Sequence, residues 1–344
     1  MKYYVSGNTA GGFVNYMSQN TGGLKQVIIL KHPSETLKTA VLKRLAAHYD
    51  DGMEMLLSPK GSKYLDGIII REKSLALISD VLSTPDLPGA IEIDLSLFLR
   101  DKLYLTDDYM ENKNMYEEAV QSAYGKFRKG LEIHDELEEI YINEMDFAKA
   151  DRLASSYISK LLDGIPKKSR STNTFHRLFG TNTPEGVVNE VPHLIDDISA
   201  VYHVKGRAGT GKSTFMKKIG EACSTRGYDV ELYHCSFDPG SIDMVMVREL
   251  DFCLFDSTDP HEFFPRRKGE MIVDLYEEAV TPGTDEKYAK DIKEVNQRYK
   301  SFMKSGVKEL EQAGVHLENL EKSFRFTETE CDNITSFITD QVIP

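Results

Sequence analysis

Residues 200–214 read AVYHVKGRAGTGKST, an apolar run followed by a glycine-rich turn and the start of a helical pattern, TFMKKIGEACS. The turn fits G-x-x-x-x-G-K-[ST] in full, and a strand before it with a helix after it is the context in which that pattern holds phosphate groups. Glycine lets backbone N–H groups approach an anion, and the helix N-terminus adds partial positive charge. The stretch therefore predicts a strand–loop–helix unit of an α/β fold that binds a nucleotide.

Lys212 is the first catalytic candidate, because it is expected to reach the β- and γ-phosphates, and the hydroxyl of Ser213 is expected to coordinate Mg²⁺. The apolar run FCLFD (252–256) ends in Asp256, the candidate for a second contact to Mg²⁺. No N-K-x-D motif is present, which favours ATP over GTP. The residues expected to bind ATP are Gly206, Arg207, Ala208, Gly209, Thr210, Gly211, Lys212, Ser213 and Thr214.

A second copy of this pattern lies 174 positions upstream. Over residues 8–43 the two copies share ten identities without a gap, where chance would give roughly two. Lys38 aligns with Lys212, and Thr39 aligns with Ser213. The sequence therefore indicates an internal duplication.

The first copy of the loop is expected not to bind nucleotide. Glu35 would oppose a triphosphate electrostatically, and Leu37 cannot freely adopt a glycine conformation. Ser79 aligns with Asp256 unless a slip of one residue brings in Asp80. The residues at the three glycine positions are His32, Glu35 and Leu37.

The repeat predicts two tandem P-loop NTPase-like units. In each, strand candidates alternate with loops and a helix, which predicts a parallel sheet with helices on both faces, a three-layer α/β/α unit. Each unit ends in long amphipathic helical sequence, expected to fold as a helical hairpin. The predicted boundaries are 1–163 for the degenerate unit, 164–176 for a linker and 177–344 for the unit with the intact loop.

Two further segments and Glu249 supply catalytic candidates. Asp238, in SFDPGSID (236–243), or Glu249 is expected to position the attacking water, although Asp-Pro-Gly is also an ordinary turn sequence. In the loop 257–270, Arg266 or Arg267 is expected to close over the γ-phosphate. The alternative is a solvated basic loop. The positive donors expected in that loop are His261, Arg266, Arg267 and Lys268.

The composition is that of a globular protein, with 344 residues, 40% apolar and 28% charged. A net charge of −13 argues against nucleic acid as a partner. No apolar run is long enough for a membrane span, and the N-terminus does not resemble a signal peptide, so we expect a cytoplasmic protein without a membrane partner. The four cysteines have no C-x-x-C spacing and are expected to be reduced.

With these motifs the whole chain resembles a little-characterised family of bacterial tandem P-loop ATPases, sometimes labelled nucleotide-kinase-like. The resemblance is carried by GRAGTGKST (206–214), SFDPGSID (236–243) and DSTDPH (256–261). It implies ATP binding and hydrolysis, with no known substrate. The glycine-free loop of the first copy departs from the pattern and puts a two-site mechanism in doubt.

The leading hypothesis is a Mg²⁺-dependent ATPase with one working site in the second unit and an inactive pseudo-site in the first. One alternative is a small-molecule or nucleotide kinase, in which 236–243 and 257–270 form an acceptor pocket and a lid. A further alternative is an ATP-sensing interaction protein with little turnover, whose helical hairpins bind a protein partner.

Overall fold

The structure is a computed structural model that describes residues 1–49, 52–101 and 106–343. We call residues 1–163 the first half and residues 164–344 the second half. The first half contains β1 (Lys2–Tyr3), β2 (Ser6–Thr9), β3 (Gly12–Asn15), β4 (Gln26–Lys31), α1 (Glu35–Ala46), β5 (Glu54–Leu57), β6 (Leu65–Ile70), β7 (Leu75–Ser79), β8 (Ala90–Asp94), α2 (Asp107–Ile142) and α3 (Phe147–Leu162). The second half contains β9 (Thr174–Arg177), β10 (Gly180–Thr183), β11 (Gly186–Asn189), α4 (Val191–Leu194), β12 (Ala200–Lys205), α5 (Lys212–Thr225), β13 (Val230–His234), β14 (Ile242–Val247), β15 (Phe252–Asp256), β16 (Glu270–Asp274), α6 (Leu275–Ala279), α7 (Thr284–Lys287), α8 (Ala289–Glu321) and α9 (Glu328–Phe337).

The molecule is a mixed α/β structure in which each half forms a six-stranded sheet of the same strand order. The orders are β1-β5-β6-β7-β4-β8 and β9-β13-β14-β15-β12-β16. β4 and β12 are parallel to both of their neighbours, whereas β6 and β14 are antiparallel to theirs. The α/β class is therefore confirmed, but the predicted parallel sheets are mixed sheets. Only residues 71–74 connect β6 to β7, and a parallel pair needs a crossover of a dozen residues or more.

Among the described residues, the longer helices that pack on the sheets cover one face of each sheet, and the short α4 contributes Val191 and Leu194 to the core on the other face. The outer face of the first sheet packs on α1 and α9 around Ile28 and Ile334, and that of the second sheet packs on α3 and α5 around Val204. The inner faces, which include Ile29 and Val201, contribute to one core shared by both sheets. The predicted three-layer units are thus wrong, because the second face of each sheet lies on this shared core. A strand that is buried on both faces carries apolar residues on both, so its sequence does not show whether a helix or a second sheet covers each face.

The long helical segments cross between the halves. α2 and α8 pack along each other. α3 packs on α5 of the second half, where Leu162 and Phe215 share a core, and α9 packs on α1 of the first half, where Cys331 and Leu42 share a core. The helices form where the sequence predicted them, but their partners lie in the opposite half. The segment predicted as a linker ends inside β9, which pairs with β13.

In the described part of the chain, no helix has both the length and the apolar character needed to cross a membrane. α2 and α8 contain 36 and 33 residues, but both carry charged side chains along their length. Their buried apolar residues, such as Phe127, Leu137 and Leu310, lie in the cores between the helices.

Candidate functional site

The glycine-rich turn joins the end of β12 to the start of α5. Gly206, Gly209 and Gly211 have φ angles of +152°, +70° and +80°, a region that other residues adopt only with strain. The hydroxyl of Thr210 donates to the carbonyl oxygen of Arg207 at 2.8 Å and fixes the bend. No side chain of the described residues caps the N-terminus of α5. The turn thus offers backbone amides that the helix itself leaves without partners.

Lys212 folds back across this turn. Its Nζ donates to the carbonyl oxygen of Arg207 at 2.7 Å and lies 3.6 Å from Oδ2 of Asp256. Asp256 ends β15, which lies beside β12, so the neighbouring strands bring the lysine and the acid together. The ammonium group therefore sits between the turn and the carboxylate, in a position to bind an anion held by the turn.

Two other polar groups lie at the same edge of the sheet. The hydroxyl of Ser213 accepts a hydrogen bond from the backbone N–H of Ile242 at 2.9 Å. Burial raises the pKa of Asp243 to about 7, the negative charge of Asp256 adds to this shift, and the Lys212 ammonium opposes it. Asp243 is therefore able to hold or release a proton near neutral pH.

These groups line a cavity of about 1390 Å³. All nine residues predicted to bind ATP line it, together with Asp238 and Asp256. Asp238 also stabilises its own turn, since its carboxylate accepts from the N–H of Gly240 at 3.0 Å and from the hydroxyl of Ser241 at 2.7 Å. The cavity extends past 235–243 and 258–264 to α8.

Helix α2 of the first half forms one wall of this cavity. A Cβ atom at Gly209 would lie 2.5 Å from the carbonyl oxygen of Glu138, so the helix touches the turn directly and only glycine fits there. Burial raises the pKa of Glu138, Asp135 and Asp238 add to the shift, and Lys212 opposes it. Burial, and then the charge of Lys212, lower the pKa of His134 on the same wall. Sequence reasoning missed this wall, because a charged amphipathic helix carries no motif that identifies its partner.

Glu249 lies away from the cavity and is not placed to position water. Its carboxylate pairs with Lys168 and Arg170. β14 is antiparallel to β15, so its carboxyl end, where Glu249 follows, lies at the sheet edge opposite the turn. The structure therefore does not bring Glu249 together with the turn.

The two arginines also lie outside the cavity. The loop 257–270 crosses from the carboxyl end of β15 to the amino end of β16, so its last residues reach the far edge of the sheet. There Arg267 donates to the carbonyl oxygen of Ile198 at 2.9 Å, and the N–H of Arg266 donates to Glu270 at 2.5 Å. The predicted closure of Arg266 or Arg267 over a γ-phosphate is not supported by this placement.

His261, by contrast, lines the cavity, but as a buried group. Burial lowers its pKa, which makes it a neutral ring rather than the positive donor that the sequence suggested. Its Nδ1 has no hydrogen-bond partner among the described residues.

The corresponding turn of the first half is filled by the protein's own side chains. Ser34 caps α1 by accepting from the N–H of Leu37 at 3.1 Å. The Nζ of Lys38 lies 3.1 Å from Oε1 of Glu35 and 2.6 Å from Oδ1 of Asp80. Burial alone would raise the pKa of Glu35, but Lys60 and Lys38 hold it below its usual value. The remaining cavity is about 280 Å³.

The chain has no significant match among known protein families, curated proteins or solved structures. In the described ranges, no group of three or more His, Cys, Asp or Glu residues is arranged to hold a metal ion by itself.

Proposed function

We propose that the chain is a P-loop NTPase that binds Mg-ATP at one site in the second half and hydrolyses it there. The observation that carries this proposal is the contrast between the two turns. Around Gly209 the helix N-terminus is uncapped and a lysine lies beside it, whereas around Glu35 the same place holds carboxylates. The first half then acts as a pseudo-site and scaffold.

We also propose that the two halves of the chain arose by duplication of one ancestral unit. The identical strand orders of the two sheets support this proposal, and so does one hydrogen bond that occurs at the same place in both halves. The hydroxyl of Thr39 accepts from the N–H of Leu65 at 3.0 Å, as the hydroxyl of Ser213 accepts from the N–H of Ile242.

In this proposal the backbone amides of 206–214 and the side chain of Lys212 hold the phosphates. The side-chain oxygens of Ser213 and Asp256 would be ligands of Mg²⁺, which prefers oxygen ligands. These residues fit the ion, because a hydroxyl and a carboxylate line the same cavity as the turn, and phosphate oxygens and water complete such shells. Bound Mg²⁺ would neutralise charge on the phosphates. Asp238 remains the candidate to orient the attacking water, with Asp243 as a proton acceptor beside it.

Titration calorimetry with Mg-ATP tests the proposal. We expect Lys212→Ala to weaken binding by at least about tenfold, since it removes a charge-assisted contact to phosphate, and Lys38→Ala to leave the affinity unchanged. Equal affinities of the wild type and Lys212→Ala would overturn the proposal. Phosphate release by the wild type, lost in Asp256→Asn, would establish hydrolysis.

A kinase is the second candidate, favoured by the size of the cavity. Ligand sites commonly enclose roughly 300–1,000 Å³, and this one is larger. It is lined in part by the rings of His134, Phe237 and Tyr299, whose centroids lie 5.2–6.0 Å apart. Turnover that requires an added hydroxyl-bearing acceptor would favour the kinase, whereas hydrolysis without one favours the ATPase.

A further inference from the structure

A nucleotide held by this turn has a defined direction. The turn and the first amides of α5 receive the phosphates, with the lysine at the β- and γ-phosphates. The nucleoside is attached to the α-phosphate, so it leaves the turn on the side of the first residues of α5, which include Thr214. Thr214 lines the cavity.

The connection between α2 and α3 lies on that side. Met145 Cε would be 3.7 Å from a Cβ atom at Gly211, the residue that precedes α5. Two contacts fix the connection in place: the N–H of Asp146 donates to the carbonyl oxygen of Ala279 at 2.7 Å, and Lys218 of α5 pairs with Asp151 of α3 at 2.5 Å. The first half therefore contributes a fixed structural element beside the exit from the turn.

This element exposes two large apolar side chains to the cavity. Phe147 is 60% exposed and Ile142 is 41% exposed, and both line the cavity. Phe147 is the first residue of α3, and the N-cap Asp146, which accepts from the N–H of Lys149 at 2.9 Å, holds that helix start in place. An exposed aromatic ring at a binding cavity is a surface on which a flat apolar ligand can stack.

We infer that Phe147, supported by Ile142, is the stacking surface for the nucleobase of the bound nucleotide. This inference rests on the proposed function and adds that the first half completes the nucleotide site. It assigns to the α2–α3 connection the recognition of an aromatic base, while the turn of the second half recognises phosphate.

Phe264 provides a matched control. It is 58% exposed and lines the same cavity, but its ring lies 4.2 Å from Nζ of Lys205, the residue before the turn. Phe264 thus lies beside the residue that precedes the turn, whereas Met145 lies beside Gly211, the residue that precedes α5. We therefore expect Phe264 not to contact a base stacked on Phe147.

The test compares Mg-ATP with inorganic tripolyphosphate, which has phosphates but no base. Removal of a ring that stacks on a base weakens binding by roughly tenfold. We expect Phe147→Ala to lose about that factor for Mg-ATP and nothing for tripolyphosphate, and Phe264→Ala to lose neither. Lys212→Ala should weaken both ligands.

The binding results distinguish the inference about Phe147 from the proposed function of the turn. If the wild type binds both ligands through Lys212 but Phe147→Ala retains its affinity for Mg-ATP, the inference is wrong and the proposed function stands. If the wild type binds neither ligand, both fail.

Because the chain has no tryptophan, the tryptophan fluorescence of a variant with one introduced Trp comes from that position alone. We expect the fluorescence of Phe147→Trp to be quenched by Mg-ATP and unaffected by tripolyphosphate, with Phe264→Trp as the control. Equal responses of the two Trp variants to both ligands would contradict the inference.

Discussion

The carboxylate of Glu321 accepts a hydrogen bond of 2.7 Å from the hydroxyl of Ser34, although 287 positions separate the two residues. The same carboxylate accepts from the N–H of Glu35 at 2.7 Å and from that of Thr36 at 3.3 Å. The Glu321 carboxylate thus occupies the N-terminus of α1, where unpaired N–H groups and the helix dipole favour a bound anion. The chain supplies its own anion to the degenerate turn, from the end of the long helix of the other half.

The two aligned lysines should therefore differ in their effect on stability. Lys38 is only 2% exposed and pairs with Glu35 and Asp80. Lys38→Met removes one of the two lysines that pair with the buried Glu35, the other being Lys60, and also the partner of the partly exposed Asp80. We expect a loss of about 2 kcal/mol in the free energy of unfolding, as for hydrogen bonds to charged groups. For Lys212→Met, whose closest carboxylate is 3.6 Å away, we expect about 1 kcal/mol or less.

Urea unfolding of both variants measures this difference. Equal losses of stability would mean that the lysine of the degenerate turn has no structural role beyond that of its counterpart. Loss of nucleotide binding in Lys38→Met at a urea concentration where it remains folded would contradict the pseudo-site.

Glu138 should weaken nucleotide binding, because its carboxylate lies on the wall that touches Gly209 and would repel a triphosphate there. We expect Glu138→Gln to bind Mg-ATP a few-fold more tightly, on the order of 1 kcal/mol at the effective dielectric of a partly exposed site. Glu139→Gln, the same change on the exposed side of the helix, is the control.

The pH dependence of this effect has a definite sign. The pKa of Glu138 is raised, so the wild-type carboxylate loses its charge at a higher pH than an ordinary glutamate as the pH falls. The gap in affinity between the wild type and Glu138→Gln should then be largest near pH 8 and shrink toward acid. Calorimetry at a series of pH values measures it, and a gap that widens toward acid would exclude electrostatic repulsion as the cause.

Asp66 should make the stability of the protein fall as the pH rises. It is buried, its Oδ1 has no partner among the described residues, and burial raises its pKa to about 6 from an ordinary 3.8. Between these values the folded state binds more protons than the unfolded state, so stability falls with increasing pH across that window, by about 3 kcal/mol in total. Asp66→Asn removes this dependence.

Urea unfolding of the wild type and Asp66→Asn at pH 4, 5, 6 and 7 isolates this contribution, because all other titrating groups are common to both proteins. We expect the stability of Asp66→Asn relative to the wild type to increase by about 2 kcal/mol from pH 4 to pH 7, because part of the total change lies below pH 4. A constant difference across this range would show that Asp66 titrates normally.

Some of this structure follows from the sequence and some does not. The strand before Gly206, the turn and the helix after it form as the motif predicts, and the repeat anticipates two sheets with one strand order. The sequence does not reveal that α3 and α9 exchange partners, since an amphipathic pattern fixes which face is buried but not what covers it. It also gave no signal for Glu138, and it did not show that Glu249 lies at the sheet edge away from the turn, because strand direction depends on connections that apolar patterns do not encode.

The exchange of helices leads to the last prediction. Ile334 of α9 belongs to the second half by sequence but is buried in the core with Leu42 of α1. Ile334→Ala should cost about 2–4 kcal/mol, as expected for truncation of a buried aliphatic side chain. We expect amide hydrogen exchange to accelerate in α1 and to remain unchanged in α5, because stability is lost locally around the space that the removed side-chain atoms of Ile334 leave.

Leu162→Ala is the matched control, since Leu162 ends α3 of the first half and is buried with Phe215 of α5. Here exchange should accelerate in α5 and not in α1. If each helix stabilised its own half, the two patterns would be reversed, and the crossed arrangement of α3 and α9 would be wrong. Hydrogen exchange followed by mass spectrometry resolves the two helices, because they lie in separate peptides more than a hundred residues apart.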